Sequence, residues 1–184
     1  MSRLPDLDIA NLSADQQQVY DAVASGPRGI VAGPMLAWLQ SPKFADCAQQ
    51  LGAYCRFASQ LPPSLSETAI LMVAAHWNVA FEWETHEPIA RKAGVSSDVI
   101  ASIRLRQRPA FPDERAGALY DFCADLLDQR KVRPETWKQA LEQFGAPALV
   151  DLIGILGYYE MISMTLAAFE IEPMAGGDAF MAIP

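Results

Sequence analysis

Apolar side chains recur along the chain at helical spacing, strand-like alternation is weak, and the polar residues between apolar runs read as helix ends. Ser13-Ala14-Asp15-Gln16 is a capping-box pattern that predicts a first helix, ended near Gly26. A loop rich in glycine and proline, GPRGIVAGP, follows. Next come a short helix over 35–40 and a longer one from 42 to about 60, closed by Pro62 and Pro63. Ser64-Leu65-Ser66-Glu67 repeats the capping-box pattern directly ahead of the run TAILMVAAHW, which puts Glu67 in the first turn of the next helix. Asn78 offers a break, after which Glu82 and Glu84 open a helix that runs through Lys92 and stops at Gly94. Ser96 or Ser97 caps a short helix to about 106. The stretch 113–131 is amphipathic, with Leu119, Phe122, Leu126 and Leu127 inward. Pro134 suits the first position of a helix over 135–144, Gly145 stops it, and Pro147 begins the last one, to about 169. About eight helices without strands predict an all-α bundle.

With 184 residues, 51% of them hydrophobic, the chain can bury one core. We expect a single domain over 1–184, its core at about 28–171 and a tail at 172–184. The formal net charge of −8 opposes nucleic-acid and anionic-membrane partners. MSRLPDLDIANLS lacks the apolar core of a signal peptide, so a cytoplasmic location is expected. The apolar run 146–169 is broken by Asp151 and Glu160 and reads as a buried helix rather than a membrane span. Cys47, Cys55 and Cys123 are odd in number and widely spaced, which predicts reduced, packed thiols and neither a disulfide framework nor a zinc site.

Candidate chemistry concentrates in AFEWETHEP, residues 80–88. Glu82 and His86 stand four apart on one helical stripe, which extends back through Val79, Ala75 and Met72 and forward to Ile89 and Ala93. An imidazole buried there without a partner would cost a few kcal/mol, so His86 needs Glu82 or Glu67. Both glutamates also have a structural account: a carboxylate in a first helical turn gains about 0.3–1 kcal/mol from the macrodipole, and Glu67 closes a capping box. Glu84 and Glu87 are expected to be solvated. His76 lies on another face with Trp83 seven residues on, which suggests packing. Tyr158 or Tyr159 in the apolar last helix could lend a hydroxyl to a pocket. The spacing of His76, Glu82 and His86 matches no HExxH-type arrangement, so no metal is expected.

The run 67–94, ETAILMVAAHWNVAFEWETHEPIARKAG, resembles the carboxymuconolactone decarboxylase family, part of the alkyl hydroperoxidase D-like superfamily. The likeness continues through LGAYCRF, YDFCADLL and LIGILGYYEMISMTLAAFEI, from about 28 to 169. Peroxidase members of that superfamily carry an acid, a cysteine twelve residues on, a second cysteine three further and a histidine four beyond. Here Glu67, Val79, Glu82 and His86 stand at that spacing. The acid and histidine match and the dithiol is absent, as in the decarboxylase branch.

The resemblance implies an all-α, alkyl hydroperoxidase D-like subunit that assembles into trimers or hexamers with sites near subunit interfaces. It also implies a cofactor-independent lyase for a small carboxylated lactone or related ring acid. Such a reaction needs a proton donor and a donor to the lactone oxygen. His86 is the candidate for these roles, with Glu82 or Glu67 to orient it. A cation should hold the acidic substrate; Arg56, Arg91 and Arg28 are candidates, and His76, Trp83 and Tyr158 are weaker contacts. Two other readings stand beside the lyase: a peroxidase using Cys47, Cys55 or Cys123, and a small-acid-binding helical oligomer without catalysis.

Overall fold

The structure is a computed structural model that describes residues 2–111 and 113–172. Among these are eight α-helices and no strand: α1 (Ala14–Ser25), α2 (Pro34–Trp38), α3 (Pro42–Phe57), α4 (Pro63–Trp77), α5 (Ala80–Lys92), α6 (Ser97–Arg104), α7 (Glu114–Gln129) and α8 (Pro134–Phe169). Helix α4 is the hub. Every residue over 65–75 is buried, because that stretch is apolar all round, and α5, α6, α7 and α8 surround it.

Most helix ends follow the expected chemistry. Ser13 and Gln16 form the capping box of α1, Ser96 caps α6 and Asp113 caps α7. The start of α4 corrects the sequence reading. Pro63 takes the first helical position, and the carbonyl of Pro62 accepts the N–H groups of Leu65 and Ser66 at 2.9 and 3.1 Å. Proline fits there because its missing N–H is one that the helix could not use. Ser64 therefore lies inside the first turn and caps nothing, which frees Glu67 to turn into the core. Helix α3 likewise ends at Phe57, three residues short of expectation.

Asn78 adopts a left-handed conformation (φ 53°, ψ 45°), which stops α4 and folds α5 back against it. That turn brings the 82–86 segment opposite Glu67. Gly145, with a non-helical backbone (φ 72°, ψ 164°), separates the two helical stretches expected on either side of it, which together make up α8.

Helix α8 is long and apolar enough to cross a membrane, with mean hydropathy 1.5, but half of its most apolar window is packed inside the bundle. The two acids within its apolar stretch are engaged laterally. Asp151 accepts the Tyr54 hydroxyl at 2.7 Å and the Gln60 N–H at 2.8 Å, and Glu160 accepts the Trp77 indole N–H at 2.7 Å. Trp38 of α2 donates to Thr165 at 2.9 Å. The N-terminal segment straps the far end of α8: the Arg3 N–H meets the Phe169 carbonyl at 2.9 Å and the Arg3 side chain pairs with Glu170. Of the expected tail, 173–184 lies outside the described residues.

Candidate active site

Two helices build one buried acid–imidazole–acid row, and a third packs against it. Glu67 comes from α4, and Glu82 and His86 come from the first two turns of α5, four residues apart on its inner face. Their exposures are 5%, 4% and 2%. His86 Nδ1 lies 2.7 Å from Glu67 Oε2, and its Nε2 lies 3.5 Å from Glu82 Oε2. From α8, Tyr159 packs edge-on against the imidazole with ring centres 5.0 Å apart, and Tyr158 packs edge-on against Tyr159 at 5.4 Å. With Nδ1 committed to Glu67 and the ring wedged by Tyr159, the imidazole is held in one orientation, its Nε2 edge toward Glu82.

Glu82 is the strained member of the row. Its Oε2 is buried and has no hydrogen-bond partner among the described residues. Burial pushes its carboxyl above the usual range and outweighs the opposing pull of His86, Arg28 and Arg56, while the Glu67 charge adds to the rise. An unsatisfied buried oxygen costs about 1–3 kcal/mol, and the nearest ionisable partner of this one is His86 Nε2 at 3.5 Å.

In front of Glu82 and His86 lies a cavity of about 110 Å³, also lined by Arg28, Arg56, Tyr158 and Tyr159. The two arginines arrive from different places, Arg28 from the loop after α1 and Arg56 from the last turn of α3. Arg28 Nη2 donates to the Tyr158 hydroxyl at 3.3 Å, and Gly52, one turn before Arg56, makes room for that hydroxyl. A Cβ at Gly52 would collide with the Tyr158 phenol. The lining thus combines two half-buried guanidinium groups with a buried carboxyl.

Of the residues singled out in the sequence, Glu82, His86, Arg28, Arg56, Tyr158 and Tyr159 line this cavity, and Glu67 sits behind His86. His76 and Trp83 are not brought to it. His76 borders a separate hollow of about 40 Å³, its Nδ1 3.6 Å from Asp128 and 3.4 Å from Arg106. Trp83 is buried and donates to Glu87 at 2.8 Å, with the Arg104 guanidinium 5.9 Å from its ring centre. Arg91 pairs with Glu87 at 2.7 Å on the surface, so Glu87 is a bonded residue rather than free solvated charge. Tyr159 was offered beside Tyr158 as a pocket hydroxyl, and Phe81 is a cavity residue that the sequence reading did not assign.

The thiols are apart from the cavity lining. Cys47 is exposed, which departs from the packed thiol expected, while Cys55 and Cys123 are buried. Burial, aided by the Asp151 charge, pushes the Cys55 thiol up to about 11, and burial raises Cys123 as well. Among the described residues no group of three or more His, Cys, Asp or Glu is arranged to hold a metal ion.

No family model matches the chain, and no curated protein does. Among solved structures, the crystal structure of an uncharacterized peroxidase-related protein from Silicibacter sp. TM1040 is similar. It superimposes with a TM-score of 0.74 over 94% of this chain and 91% of that chain, at 16% identity. The chain therefore shares the all-helical fold of that protein, in agreement with the all-α bundle expected from the sequence.

Proposed function

We propose that the cavity is the active site of a cofactor-independent acid–base enzyme, a lyase of the carboxymuconolactone decarboxylase type acting on a small carboxylated lactone or related ring acid. One observation carries this reading: an oriented imidazole and a buried carboxyl with one oxygen that no hydrogen bond satisfies line a cavity together with two half-buried arginines. In the reaction the bond to the departing carboxylate breaks and CO2 leaves. The electron pair moves through the ring double bond onto the lactone oxygen, and a proton then reaches carbon. Arg28 and Arg56 bind the anionic substrate. His86 Nε2 or the Glu82 carboxyl delivers the proton, which is restored from solvent, and the other hydrogen-bonds the lactone oxygen. Glu67 acts through His86 as a positioning residue.

The assay is the decay of 4-carboxymuconolactone absorbance at neutral pH. Native protein should turn the lactone over, and Arg56→Ala should lower kcat/KM by about 10–100-fold, mostly through KM, as expected when a charge-assisted contact of about 1.5–3 kcal/mol to a bound anion is lost. No turnover by native protein would remove this substrate. The thiol-peroxidase reading has less support, since Val79 and Glu82 occupy the dithiol positions and burial disfavours the thiolates of Cys55 and Cys123.

A homo-oligomer forms part of the same proposal. Arg56 lies 5.3 Å from the ring centre of its neighbour Phe57, and Leu51, Tyr54 and Phe57 of α3, with Val150, Ile153 and Met164 of α8, are exposed apolar side chains on two helices that pack together. The mouth of the cavity thus adjoins surface suited to self-association. Ile153→Glu should shift the sedimentation coefficient toward the monomer; a native protein that already sediments as a monomer would rule the assembly out.

A further inference from the structure

A second cavity, of about 410 Å³, adjoins the first, and one side chain lines both. That side chain is Phe81, which precedes Glu82 in the first turn of α5. The second chamber is walled mainly by Leu4, Leu7, Ile9, Leu36 and Ile171, with the carboxylates of Asp6 and Glu172 also on its lining. Its outer wall is the N-terminal segment, fixed by Arg3 to the end of α8 and by the Gln40 amide donating to the Pro5 carbonyl at 3.1 Å. Its floor is Gly33, and Pro34 lines the first cavity.

The ring of Phe81 lies directly on the Gly33 backbone. A Cβ at Gly33 would strike the ring tip, and Gly33 has φ 54° and ψ −124°, a conformation that only glycine adopts cheaply. The absence of a side chain at Gly33 is what lets the ring stand between the two cavities. The size of the site matters, since a cavity of about 150 Å³ takes up benzene. At about 110 Å³, the acid cavity holds a compact acid of about the size of butanoate and nothing longer in the direction of Phe81.

We propose that Phe81 is a specificity-determining partition: it restricts the site to compact acids and shuts apolar chains out of the adjoining chamber. This inference rests on the acid-binding reading of the cavity. A longer chain on the native protein can only turn back through the mouth into water, where extra methylenes gain nothing.

The test is calorimetric binding of the linear acids from propanoate to octanoate, and of the matching primary alcohols, to native protein, Phe81→Ala and Phe81→Leu, the last as the milder change if the alanine variant folds poorly. For the native protein, affinity should stop rising beyond butanoate. In Phe81→Ala it should continue to rise by up to about fourfold per added methylene, the value of burying a CH2 group. Phe81→Leu should show the same trend at smaller slope. Native affinity that climbs steadily to octanoate, or a break that persists in both variants, would overturn the partition. Acids that bind no tighter than alcohols of equal length would instead refute the acid-site reading, while the position of the break among the alcohols still judges Phe81.

Discussion

Replacing His86 by alanine is expected to lower kcat for lactone turnover by about 10²–10⁴-fold, the usual contribution of a positioned acid–base group. The variant should also be less stable. His86 is the 2.7 Å partner of a buried glutamate, and removing one member of a buried pair costs about 3–5 kcal/mol because the other is left behind unpaired. Activity loss alone is therefore ambiguous. His86→Gln separates the two effects: its amide can still donate to Glu67, but it carries no transferable proton. Most of the stability should return in thermal melts and none of the turnover. Glu67→Gln completes the set. If Glu67 only positions the imidazole, this variant should retain measurable turnover with an altered pH profile. Full turnover in a folded His86→Gln protein would assign the proton to Glu82 alone.

The Glu82–His86 relationship was legible because it is local. Four residues on one helix fix two side chains on one face whatever the rest of the fold does, and both are buried. Glu67 was legible only by likeness of spacing, and local grammar pointed elsewhere. Ser64-Leu65-Ser66-Glu67 has the form of a capping box, but Pro63 competes for the helix start and wins, so the glutamate is released inward.

His76 was read as lying on another face, but its partners Asp128 and Arg106 were beyond reach for a different reason. A helix buried over its whole circumference has no polar face to mark direction, so the sequence of α4 does not say which side looks at α5 and which at α6 and α7. Arg28 and Tyr158 meet across 130 positions, a juxtaposition set by the packing of α8 against α3 and not by any local pattern. Gly52 and Gly33 tell the same story. In the sequence they read as a small residue in a helix and a loop glycine. In the structure each is the space that an aromatic ring from another element fills.

Glu82→Gln should move stability and activity in opposite directions. Burial raises the Glu82 carboxyl above its unfolded value, with His86, Arg28 and Arg56 opposing and Glu67 reinforcing the shift. Below the unfolded value, about 4.3, both states hold the proton and the group has no effect on folding. As pH rises through the window up to the folded value, the native state binds more protons than the unfolded one, so stability falls with pH. Above that window the whole penalty remains.

A glutamine cannot ionise and so escapes the penalty. Its melting midpoint should exceed that of the native protein near pH 7–8, by about 2–4 °C for each kcal/mol regained, and the difference should vanish toward pH 4. Turnover should fall with the loss of a carboxyl that faces the cavity. A Glu82→Gln protein that melts lower at neutral pH would mean that the two arginines and His86 outweigh desolvation and hold Glu82 as a carboxylate. The proton donor would then be His86, and Glu82 would serve to keep it charged. The sign of one melting difference thus decides which of two neighbouring side chains carries the proton, because a buried carboxyl poised to donate must cost the fold stability where an ion-paired carboxylate would not.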